Sequence, residues 1–71
     1  MNFKLKEVKN YDEHHAYGTD WVTEYICYSD TNMEIDDTIN ELKKLGHEPC
    51  GELKQIYDEK NNELRLITKM Y

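Results

Sequence analysis

The chain has 71 residues, a formal net charge of −6 and 34% charged residues. That length makes one small domain and excludes a multidomain enzyme. Leu, Ile, Val and Phe together supply 14 residues, just under a fifth, with six Tyr and one Trp making up part of the apolar deficit. The charge sign disfavours direct nucleic-acid binding, which rests on phosphate neutralisation by Lys and Arg. The longest uninterrupted apolar run, Tyr25 to Tyr28, is far too short to span a bilayer.

Residues 3–8 place Phe3 and Leu5 in alternation, with Val8 out of phase. This pattern predicts a short strand bulged near Glu7. Residues 9–20 lack periodicity and contain Gly18, and read as a long loop. Residues 21–28, Trp-Val-Thr-Glu-Tyr-Ile-Cys-Tyr, are the strongest strand signal, since β-branched and aromatic residues dominate. Both faces are largely apolar, so this strand is expected to be central or at an interface.

Ser29 to Asn32 is turn chemistry, and Thr31-Asn32-Met33-Glu34 fits a capping box. A helix is expected over about 32–45. Its apolar stripe is Ile35, Ile39, Leu42 and Leu45. Asp36 and Asp37 near its start and Lys43 and Lys44 near its end suit the helix dipole. Gly46 supplies the stop. Residues 52–58 and 63–71, on either side of Glu59-Lys60-Asn61-Asn62, read as a C-terminal hairpin over about 52–71. Because Leu53 and Ile56 are three apart, a helix over 52–60 is the competing reading.

The expected architecture is a single α+β domain over 1–71, in the order β-β-α-β-β. One helix packs on an antiparallel sheet of three to four strands. The opposite sheet face, with Val22, Ile26, Tyr28, Ile67 and Tyr71, would stay open and could seat a second copy of the chain. Residues 1–6 carry no apolar run of the leader type, so the expected setting is a reducing cytoplasm. Cys27 and Cys50 are then expected to be free thiols rather than a bridge.

Charge position is the most informative feature. Residues 10–42 contain no Lys or Arg and nine acids: Asp12, Glu13, Asp20, Glu24, Asp30, Glu34, Asp36, Asp37 and Glu41. The same segment holds Tyr11, Tyr17, Trp21, Tyr25 and Tyr28, five of the eight aromatic residues. A carboxylate binds a guanidinium by charge-assisted hydrogen bonds, and a neighbouring ring face holds the same cation. Asp12, Glu13, Tyr17, Asp20, Trp21, Glu24 and Asp30 are therefore the candidate contact residues for a host protein with a Lys/Arg-rich surface. The plainer reading is a solvated acidic face that keeps the chain dispersed.

Small acidic proteins of phages and mobile elements, anti-CRISPR and anti-restriction proteins among them, present carboxylates where phosphates would sit. Size and charge suggest that class, although no motif carries it. A homodimeric structural or regulatory domain is the alternative.

His47-Glu48-Pro49-Cys50 has the spacing of half a zinc site, making His47 and Cys50 weak metal candidates. No second pair completes them, so no metal or other cofactor is expected. No phosphate-binding glycine motif, serine elbow or paired-carboxylate signature is present, and no enzymatic role is expected.

Overall fold

A computed structural model describes residues 2–70. Four strands and one helix follow the order β1 (Phe3–His15), β2 (Gly18–Ser29), α1 (Ile35–Lys44), β3 (Glu52–Asp58) and β4 (Glu63–Met70). The sheet is antiparallel with strand order β1-β2-β4-β3, and α1 lies on one face, giving the expected α+β architecture. No helix among the described residues is long and apolar enough to cross a membrane.

The core forms where α1 meets the two inner strands. Leu42 of α1 packs with Tyr25 and Cys27 of β2, Leu64 and Leu66 of β4, and Met33. Phe3, Leu5, Val8, Ile35, Ile39 and Tyr57 close its margin. Register explains the grouping. Leu5, Cys27, Leu64 and Tyr57 form one row across the sheet, and Val8, Tyr25, Leu66 and Gln55 form the next. The register shifts between Leu5 and Glu7, and this bulge returns Val8 to the core face.

The largest departure from expectation is in residues 9–20. They are not a loop: β1 continues to His15 and pairs with β2 through His15↔Gly18. A two-residue turn at Ala16 and Tyr17 joins the strands, and Gly18 takes φ +142°, a conformation other residues rarely adopt. Every residue from Lys9 to Thr19 is exposed. A strand that buries neither face has no reason to alternate in hydropathy, which is why its sequence looks aperiodic.

The helix also differs at both ends. It begins at Ile35 with Glu34 as N-cap, and no side chain caps it. The capping box does not form, because Thr31 is held by Ser29. The Ser29 hydroxyl donates to the Thr31 carbonyl at 2.7 Å, and the Thr31 N–H points back to Ser29 Oγ at 3.3 Å. Leu45 lies past the last turn and is 55% exposed, so it leaves the apolar stripe; Thr38, fully buried, joins it. Gly46 ends the helix as expected, at φ +90°. The His47 N–H reaches the Leu42 carbonyl and the Gly46 N–H reaches Lys43, a Schellman arrangement.

Residues 52–58 form a strand, not a helix, and the C-terminal hairpin is present. Its turn is set by Asp58, whose carboxylate accepts the Lys60 N–H at 3.1 Å and the Asn61 amide at 2.7 Å. Asn62 takes the left-handed φ of 50° that Asn tolerates. Tyr71 lies outside the described residues.

Candidate functional site

The projecting end of the β1–β2 hairpin follows from a mismatch of lengths. A ten-residue helix is about 15 Å long, whereas a twelve-residue strand extends about 40 Å. The helix therefore cannot cover the whole of β2. Beyond the Tyr25 row, the helix-side face continues through Asn10, Thr23, Thr68 and Leu53, then through Asp12, Trp21 and Met70. Trp21 is 64% exposed and Met70 is 48% exposed. Asn10, Tyr11, Asp12, Trp21, Val22 and Thr23 enclose a groove of about 240 Å³ at this end. Inside it the Thr23 hydroxyl donates to Asn10 Oδ1 at 2.9 Å.

The candidate contact residues do not form one continuous surface. Asp12 and Trp21 face the helix side, directly opposite one another. Glu13 and Asp20 are likewise opposite one another, but on the other face, with Glu24 further along. Tyr17 sits in the turn, 97% exposed. Asp30 lies at the far end of β2, where its carboxylate accepts the Asn2 N–H at 3.1 Å.

Internal cations further divide the acids. On the open face Arg65 donates to Glu24 and Glu63, each at 3.2 Å. Burial works against the Arg65 charge, but the two glutamates outweigh it and its pKa is raised. The Lys69 ammonium donates to Glu13 at 3.4 Å. Asp20 is only 5% exposed and pairs with the His15 ring at 3.2 Å. The Tyr11 pKa is raised, chiefly by its interaction with the Glu24 carboxylate and then by burial and the neighbouring acids. Among the described residues, the Asp12 carboxylate has no such partner. Charge counting along the chain could not show this, because Arg65 and Lys69 come from β4, 41 residues from Glu24 and 56 from Glu13.

The face away from α1 is consequently a lattice of paired charges over Val22 and Ile26, which are buried rather than open as expected, with Tyr11, Tyr28 and Ile56 as its exposed apolar residues. Of the four cations near the C-terminal hairpin, Lys54, Lys60, Arg65 and Lys69, two are neutralised in the same way, since Arg65 and Lys69 are both paired with acids.

Both thiols are free. Cys27 is fully buried, and burial pushes its pKa up to about 11. Cys50 is exposed, its thiol 3.5 Å from the Met70 sulfur. The His47 ring packs edge-on against Tyr25, with centroids 5.6 Å apart. Among the described residues no three His, Cys, Asp or Glu side chains group as a metal site. Comparison with known protein families, curated proteins and solved structures found no match to this chain.

Proposed function

We propose that this chain is a non-enzymatic protein-binding module that engages a Lys/Arg-rich surface of a partner protein through the projecting end of its β1–β2 hairpin. One observation carries the reading. Trp21 stands exposed beside Asp12, whose carboxylate has no partner among the described residues, while Glu13, Glu24 and Asp20 are held by Lys69, Arg65 and His15. Tryptophan is among the residues most enriched in binding hot spots, and it gains most when an exposed ring is covered. The net charge of −6 would draw a basic surface toward the module over several ångströms of solvent.

An inhibitor of the anti-CRISPR or anti-restriction type, occupying a nucleic-acid-binding surface of a host protein, is the physiological form of this reading that size and charge favour. The test is affinity capture from host cells, followed by direct binding of the captured protein. Reversal of Asp12 and Glu13 to Lys is expected to abolish capture, added salt to weaken binding, and nucleic acid to compete. Asp20 is left intact because it is buried against His15. Binding that ignores charge reversal and salt alike contradicts the reading.

The homodimer alternative rests on Tyr28 and Ile56 of the open face. Light scattering decides it: a mass near one chain at all concentrations contradicts a dimer.

A further inference from the structure

Resting on that reading, we propose that the groove between Asp12 and Trp21 is a slot for a single arginine side chain of the partner protein. Residues opposed across an antiparallel pair hold their Cβ atoms about 4.5–5.5 Å apart on one face. Asp12 and Trp21 are such a pair, and both line the groove. Its volume of about 240 Å³ suits one side chain. Small-molecule sites run larger, at roughly 300–1,000 Å³.

The chemistry of the walls selects the occupant. The indole is exposed, and no aromatic ring among the described residues stacks on it. The adjacent carboxylate has no cation of its own among the described residues. A guanidinium is planar, so it can lie on the indole face while donating two parallel hydrogen bonds to the carboxylate. A lysine ammonium is a point charge and satisfies only part of this arrangement. The Thr23–Asn10 hydrogen bond fixes the neighbouring wall, so the slot needs little rearrangement to be filled.

Trp21 is the sole tryptophan, so its emission reports the slot directly. Three blocked peptides of equal length are titrated into the intact protein, alternating glycine with arginine, lysine or citrulline. Citrulline keeps the shape of arginine and lacks the charge. The arginine peptide is expected to shift the Trp21 emission and to bind about five- to tenfold tighter than the lysine peptide, with no shift from citrulline. Asp12→Asn is expected to weaken the arginine peptide about tenfold, and Asp37→Asn, at the exposed helix start, to leave it unchanged. Both substitutions are at exposed positions, and circular dichroism checks that the fold survives. Equal binding of arginine and lysine peptides, or binding that Asp12→Asn does not weaken, overturns the slot while leaving a module for basic partners standing. Failure of both cationic peptides to bind overturns the slot and the functional reading together.

Discussion

The two ends of the helix-side face are built from the same strands and the same ladder, yet they behave as different materials. At one end Tyr25, Cys27, Leu64 and Leu66 are sealed by Leu42. At the other, Trp21 and Met70 face solvent with Asp12 beside them. Strand pairing alone does not decide whether an apolar side chain is core or contact surface. The reach of the covering helix decides it, and a ten-residue helix stops short of the hairpin tip.

That contrast breaks most visibly under truncation in the covered half. Leu64→Ala is expected to cost about 2–5 kcal/mol by chemical denaturation, the range for a buried leucine whose site cannot collapse fully. Trp21→Ser removes a larger side chain, yet is expected to cost about 1 kcal/mol or less, since its area is already in water. Equal costs at the two positions would erase the distinction.

Titration sharpens the same contrast. The Cys27 thiol has its pKa raised to about 11 from an ordinary 9.0, so the folded state holds its proton longer than the unfolded chain does. Stability is therefore full below pH 9 and falls as pH rises toward 11, by about 2–3 kcal/mol from this group. Tyr25, raised mainly by burial, acts in the same direction at higher pH. A thiol reagent at pH 8 is expected to modify Cys50 in the folded protein and Cys27 only on unfolding. Reaction at both sites in the native state contradicts a sealed core.

Gly51 tests the strand that borders the uncovered end. A Cβ there would lie 2.5 Å from the Lys69 carbonyl oxygen and 2.8 Å from Met70 Cγ, at a φ of +91°. Gly51→Ala is expected to cost about 1–3 kcal/mol and to disturb Met70 before it disturbs Leu64, as amide exchange would show. Arg65→Gln is smaller, about 1–2 kcal/mol, because it strands a mostly buried Glu24 on the open face. Tyr17→Ser, at the turn, is expected to change stability by less than about 0.5 kcal/mol.

Legibility in the sequence followed burial. The alternation of Leu64, Leu66 and Thr68 named β4, the β-branched and aromatic run named β2, and Gly46 named the helix end, because each of those signals reports a buried face or a special φ. Residues 9–20 carried no such signal, since the projecting hairpin buries only Asp20 of them. Thr31 looked like a cap, but Ser29, fixed at the end of β2, engaged it first. The acidic block was visible as a block; its division was not. Glu24 and Asp12 are chemically alike in the chain, and only the register that brings Arg65 to one and Trp21 to the other separates them.

The most direct measurement is backbone amide mapping of the intact protein during titration with the arginine peptide. The account predicts shifts concentrated at residues 10–12 and 21–23 and at Met70, with Glu34, Asp36 and Asp37 unmoved. Shifts centred on the acidic helix start, with the Trp21 end silent, would contradict it.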